Sequence, residues 1–292
     1  MSSPRIAITG YASLDHVAML DGTPRAGRTT TILERAESAW PRLGGSPAFV
    51  AAALVANGVA DAAPVSWIGD DASGEAYRAQ LSAGAIPDRG LAVVAGARTP
   101  VAILAYEPDG GCICLYHPGM PKGLGLSPEQ VALIAGADWV CVTIGPPAAT
   151  EAVLAAIAPD TKLAWVVKHD PRAMSPELAA RFAARADLIC HSHAESGFLA
   201  DALAVGPARP GQIVIETHGR SGATFTRDGQ TDFVPTTPIA VSDPTGAGDT
   251  FAGGVLASLA KGETDPVLVV EAGHRAAWAL LDARRGNEPE SA

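Results

Sequence analysis

The sequence has no excess of positive charge, no disulfide framework and no apolar stretch long enough to cross a bilayer. Each absence removes a class of function. Its 21 Lys and Arg face 31 Asp and Glu, a formal net charge of −10 over 292 residues. No basic cluster reverses that field locally, so neither nucleic acid nor an anionic membrane surface is an expected partner. The four cysteines (Cys112, Cys114, Cys141, Cys190) form no pairing pattern, which predicts a reduced, cytoplasmic protein. The longest apolar run, around Pro47–Ala60, contains Asn57 and Gly58 and falls short of the roughly 18 residues a membrane span requires. The first twenty residues lack a charged segment followed by an apolar one, so no signal peptide is expected.

Familiar catalytic signatures are missing as well. There is no Gly-x-x-x-x-Gly-Lys-Ser/Thr, which excludes a P-loop. Ile8–Ser13 lacks Gly-x-Gly-x-x-Gly, which argues against a dinucleotide dehydrogenase. No Gly-x-Ser-x-Gly elbow supports a hydrolase triad. Cys190-His191-Ser192-His193-Ala194-Glu195 gathers potential ligands, but its spacing fits none of the common zinc patterns, and a strand end with exposed histidines is the better reading. Cys112 and Cys114 share one face of a strand, where apolar packing is expected rather than a metal.

What is present is 48% hydrophobic content arranged as short apolar strands alternating with Ala-rich helices. Strands are predicted at 5–9, 64–68, 139–143, 163–167, 188–190 and 213–216. Helices are predicted at 46–57, 74–83, 128–135, 148–156 and 176–184. That alternation implies parallel crossovers and an α/β, doubly wound, mainly parallel sheet flanked by helices. Two stretches, about 17–42 and 92–118, carry strand-like alternation with no helix between. The second reads as a hairpin, Val101–Tyr106 and Cys112–Tyr116 about a turn at Asp109-Gly110-Gly111. Together they predict a small β-sheet lid inserted in a single domain spanning 1–292.

The most informative string is Asp243-Pro244-Thr245-Gly246-Ala247-Gly248-Asp249-Thr250-Phe251, followed by an apolar segment at helical spacing. A helix starting near Gly248 would present small residues and backbone amides at the positive end of its dipole, as an anion site needs. Asp249 in the first turn would lie beside that anion. A carboxylate there has one simple use, taking a proton from an oxygen that attacks phosphorus.

This string resembles the C-terminal signature of the ribokinase-like (PfkB-type) carbohydrate and nucleoside kinases, and the resemblance extends over nearly the whole chain in order. It implies that Asp249 is the catalytic base and that the amides of Gly246, Ala247 and Gly248 form the anion hole. Ile6 to Asp15, ending Ser13-Leu14-Asp15, is similar to the family's opening strand, with Asp15 accepting hydrogen bonds from substrate hydroxyls; Ser13 stands where Asn is usual. Gly44-Gly45-Ser46-Pro47-Ala48 resembles the Gly-Gly substrate loop, with Phe49 in place of another usual Asn. Phe49 reads either as a core aromatic or as a ring against a flat acceptor such as a nucleobase, and Trp40 is a second such ring. Gly69–Gly74 resembles a structural turn of the family. Ser192-His193-Ala194-Glu195 resembles Asn-x-x-Glu, so Ser192 would face ATP and Glu195 would place Mg²⁺, directly or through water. Thr217-His218-Gly219-Arg220-Ser221-Gly222 resembles the segment lining ATP, with Thr217, Gly219 and Gly222 the matching positions. Asp243 and Thr245 match positions that in ribokinase hold a monovalent cation such as K⁺, with the loop near Arg285-Gly286 closing that site.

The resemblance therefore implies an ATP- and Mg²⁺-dependent kinase of a sugar hydroxyl, primary by preference. A nucleoside is the alternative acceptor, and a sugar- or nucleotide-binding protein without turnover is the alternative from another class. Pairing of two copies through the lid is a further expectation.

Overall fold

The computed structural model describes residues 3–35, 40–206 and 209–285. The expected loop at Arg285-Gly286 lies beyond the described residues at Gly286.

The chain opens with β1 (Ile6–Thr9), β2 (Ser13–Leu20), β3 (Ile32–Arg35) and β4 (Arg42–Gly44). Then come α1 (Ser46–Ala56), β5 (Ala62–Gly69), α2 (Ala72–Ala83), β6 (Leu91–Val94), β7 (Val101–Tyr106) and β8 (Cys112–His117). The middle is α3 (Pro128–Ala135), β9 (Trp139–Val142), α4 (Pro147–Ala156), β10 (Lys162–Val166), α5 (Pro176–Arg185), β11 (Leu188–Ser192) and α6 (Ser196–Leu203). It closes with β12 (Ile213–Thr217), β13 (Gly222–Arg227), β14 (Gln230–Pro235), α7 (Ala247–Ala260) and α8 (Pro266–Arg285).

Nine strands form the large sheet in the order β14-β13-β12-β11-β10-β9-β1-β5-β6. Pairing is parallel from β6 to β12 and antiparallel for β12–β13 and β13–β14. Its central strands are apolar on both faces because both faces are covered. Ile6, Ile8, Cys141 and Val166 point toward α1, α2, α7 and α8. Ala7, Val140, Leu163 and Trp165 point toward α3–α6. Local signals set several helix starts. Asp71 accepts from the Gly74 amide at 2.8 Å ahead of α2, and Ser127 with Gln130 forms a capping box at α3. No helix among the described residues is long and apolar enough to cross a membrane.

The second sheet, β3-β2-β7-β8 with β4 also on β2, stands beside the large one. Three expectations are corrected here. The opening strand does not run from Ile6 to Asp15. It stops at Thr9, and Gly10 turns the chain out, at a point where a side chain would press on the Ile144 carbonyl and the Pro47 ring. Asp15 consequently belongs to the small sheet, which begins at Ser13 rather than near 17. The second inserted stretch does not begin at 92, because Leu91–Val94 pairs with β5 and completes the large sheet. Finally, β13, β14, α6 and α8 have no counterpart among the predicted elements.

Candidate active site

The small sheet turns one face toward the start of α7. Register places Asp15 opposite Ala102 and Arg42, Ala102 opposite Tyr116, and Leu104 opposite Cys114. Those side chains share a face because directly paired residues do. Asp15 is buried, at 4% exposure. Its carboxylate accepts a bond from Ser13 Oγ, so the residue in the usual Asn position orients Asp15. Burial pushes the Asp15 carboxyl above its ordinary value, against the opposing pull of the Ser13 bond and the Arg42 charge. Any side chain at Gly44 would overlap the Asp15 carboxylate, so glycine there makes the site possible. Gly45, at φ 84°, starts α1 beside it. Tyr11 and Tyr116 lie with ring centroids 6.2 Å apart at the edge of the same space.

Gly246 opens α7 in the left-handed region, at φ 77°. Ala247 N–H donates to the Pro244 carbonyl at 3.1 Å. The turn that starts the helix thus engages the Ala247 amide, one of the three expected to form an anion hole there. Asp249 is 6% exposed, and its Oδ1 is buried without a hydrogen-bond partner. Lys168, from the loop after β10, brings Nζ to 3.5 Å from that oxygen. The Asp249 charge raises the Lys168 pKa, with Glu195 adding to it. The spacing signals nothing of Lys168, which meets Asp249 only because β10 ends beneath α7.

Beyond the start of α7 lies a cavity of about 380 Å³, the size class of small-molecule sites. Thr217, Gly219, Gly222, Ala247 and Gly248 line it from one side, and His274 and Trp278 of α8 from the other. The three expected ATP-segment residues are therefore brought together with the helix start. Ser192 is not: its amide (2.9 Å) and hydroxyl both donate to Glu195 Oε2.

Phe49 is neither a plain core aromatic nor free to face a ligand on all sides. A Cβ at Gly246 would come within 2.6 Å of its ring carbons, and the Arg284 guanidinium lies 5.9 Å from the ring centroid. Trp40 lies at the small sheet, its ring edge-on to His16 at 5.2 Å. Asp243 is bonded by Arg42. Burial alone would push the Asp243 carboxyl up, but the Arg42 bond and the Arg284 charge outweigh it and hold the group below the ordinary carboxylate range. Tyr106 and Thr245 share a 2.6 Å hydrogen bond that ties the small sheet to the loop before the anion hole.

A buried carboxylate whose nearest partner is the Lys168 ammonium, at a helix start that opens on a cavity, can deprotonate an alcohol beside a bound phosphate. Over residues 3–290 the sequence matches the pfkB family of carbohydrate kinases. The chain belongs to that family. A fructokinase of Klebsiella pneumoniae is 27% identical over 236 residues, covering 74% of this chain and 76% of that protein. A nucleoside kinase of Methanothermobacter thermautotrophicus is 25% identical over 274 residues, covering 90% and 85%. In fold, the chain is similar to the ribokinase of Cryptococcus neoformans solved with ADP, at TM-score 0.76 and 20% identity over 98% of this chain and 100% of that one. This pfkB-family chain is accordingly a sugar or nucleoside kinase.

Among the described residues, the grouping of three or more metal-ligating side chains is His193, Glu216 and His218. A two-imidazole set does not suit Mg²⁺, which prefers oxygen ligands and phosphate. Glu195, fixed by Ser192 and near Lys168, is the carboxylate that fits an ion carried on a nucleotide.

Proposed function

We propose that the chain transfers the γ-phosphoryl group of ATP to a hydroxyl, by preference a primary one, of a sugar. The observation that carries the proposal is the buried Asp249 Oδ1 in the first turn of α7, ion-paired with Lys168 but with no close hydrogen bond. Asp15 accepts hydrogen bonds from acceptor hydroxyls, and Gly44 and Gly45 let the acceptor approach the backbone. The small sheet covers it and excludes water. Asp249 takes the proton as the acceptor oxygen forms its bond to γ-phosphorus. The bond from that phosphorus to the bridging oxygen breaks, and ADP leaves. Gly246 and Gly248 amides stabilise charge on the transferred group. Thr217, Gly219 and Gly222 hold the nucleotide, and Ser192 acts through Glu195. Glu195 would hold Mg²⁺, directly or through water, and that ion would supply charge neutralisation at the phosphates.

A nucleoside acceptor is the second reading, favoured by Tyr11 and Tyr116 beside Asp15, two rings placed to meet a base. Phe49 supports the phosphate side by packing on Gly246. Binding without turnover fits less well, since holding a ligand needs no buried carboxylate beside a phosphate site. Cytoplasmic action is part of the proposal, supported by four unpaired thiols. So is pairing through the small sheet, supported by the exposed side chains of Leu33, Ile103 and Leu115. The test is ATP consumption across a panel of sugars and nucleosides, wild type against Asp249→Asn. Acceptor-dependent ADP release that the substitution abolishes is expected. Release that survives it would remove Asp249 as the base.

A further inference from the structure

The Asp243–Thr245 loop was expected to hold a monovalent cation, and its oxygens do converge on a positive centre. That centre is a side chain. Arg284 Nη1, in the last turn of α8, donates to the Asp243 carbonyl at 2.9 Å and the Thr245 carbonyl at 2.6 Å. It also lies 3.6 Å from Asp243 Oδ2. The Asp243 carboxylate is further engaged by Arg42, and its Oδ1 accepts from the Thr245 amide at 3.1 Å. A free K⁺ would have to displace a guanidinium from these oxygens while facing a second guanidinium.

We infer that Arg284 is a tethered cation that takes the place of a bound monovalent ion and positions the loop leading into the Gly246 anion hole, so that turnover needs no K⁺. The two carbonyls it holds flank Pro244, immediately before Thr245 and Gly246, so fixing them sets where the α7 amides begin. The guanidinium also lies against Phe49, which packs on Gly246. The helix that carries it, α8, crosses α7 at close range: a Cβ at Gly254 would come within 3.0 Å of Gly273 Cα. Burial and the neighbouring Arg42 charge bring the Arg284 pKa down to about 10, which leaves it protonated at neutral pH. A cation in the last turn of a helix is also favoured by the helix dipole.

The inference rests on the kinase reading for its rate measurements, and a melting arm separates the two. Initial rates and melting midpoints are measured in K⁺, Na⁺ and tetramethylammonium chloride at constant ionic strength, for wild type, Arg284→Met and Arg284→Lys. Wild-type rates should agree within about twofold across the salts, and its midpoint should not respond to K⁺. Arg284→Met should lose roughly 30-fold or more in kcat in tetramethylammonium. It should regain rate and midpoint when methylguanidinium or K⁺ is added, a response that a merely structural role would not produce. Arg284→Lys, which keeps the charge, should fall between the two. Several-fold activation of the wild type by K⁺ overturns the inference, as does an unimpaired Arg284→Met or a loss that no cation relieves. If the variants do not fold, the wild-type salt comparison decides alone. If no acceptor is phosphorylated, the kinase reading fails, and K⁺-dependent stabilisation of the wild type still overturns this inference separately.

Discussion

Replacing Gly246 by alanine introduces one methyl group at the point where the start of α7, Phe49 and the Arg284-held loop meet. Two costs follow from the geometry. Gly246 sits at φ 77°, where an L-residue costs roughly 1–2 kcal/mol. The added Cβ would lie 2.6 Å from the Phe49 ring, an overlap of the kind that costs about 1–3 kcal/mol when packing must shift. The loop cannot yield easily, since Arg284 and Tyr106 both hold it. Part of the strain therefore moves the amides themselves, and a displacement near 1 Å costs about 10²-fold in rate. A coupled ATP assay should show kcat/KM lower by about 10²-fold, and calorimetry a midpoint lower by roughly 5–10 °C. Phe49→Ala in the same molecule removes the overlap but not the φ penalty. The double variant should thus be more stable than the sum of the singles by about 1–3 kcal/mol. Strict additivity, or a Gly246→Ala enzyme with wild-type rate and midpoint, would refute this account of the contact.

Asp249→Asn should lower kcat by about 10²- to 10⁴-fold with substrate affinity largely kept, measured by steady-state kinetics and calorimetric titration. Asp15→Ala should raise the acceptor KM as well as lowering turnover; an unchanged KM removes Asp15 as the hydroxyl clamp. Lys168→Met leaves the buried Asp249 carboxylate without its balancing charge, and a fall in kcat of roughly 10- to 10²-fold is expected. Burial lowers the His274 pKa from its ordinary 6.5, so the unfolded chain takes up the proton first. Stability present above that pH is lost as pH falls toward the folded value. His274→Gln should flatten the fall of the melting midpoint as pH drops below the ordinary 6.5; an unchanged slope would remove this linkage.

Much of the fold follows from local pattern. Strands such as Trp139–Val142 are apolar throughout because both faces are covered, and helices such as Pro176–Arg185 carry their own caps. The signature string is also local, and it places Asp249 and Gly246 in one helical turn. Failures arise where position depends on distant partners. Asp15 looked like the end of β1, because nothing in Gly10-Tyr11-Ala12 announces that the chain changes sheets. Leu91–Val94 resembles lid sequence, and only its pairing with β5 says otherwise. Lys168, Arg42 and Arg284 carry no local signal, since each reaches its carboxylate or carbonyl partner across the tertiary structure.

The parallel pairing of β2 with β7, Leu14 with Val101 through Met19 with Tyr106, has a consequence for how the enzyme matures. These strands cannot meet until the intervening chain, from α1 to β6, has collapsed onto β1, because closing so long a loop repays its entropy late. On the ribosome, Asp15 emerges first yet joins its β7 partner only after roughly another third of the polypeptide has been made. The small sheet can therefore close around Asp15 well before α7, and with it Asp249, has been made.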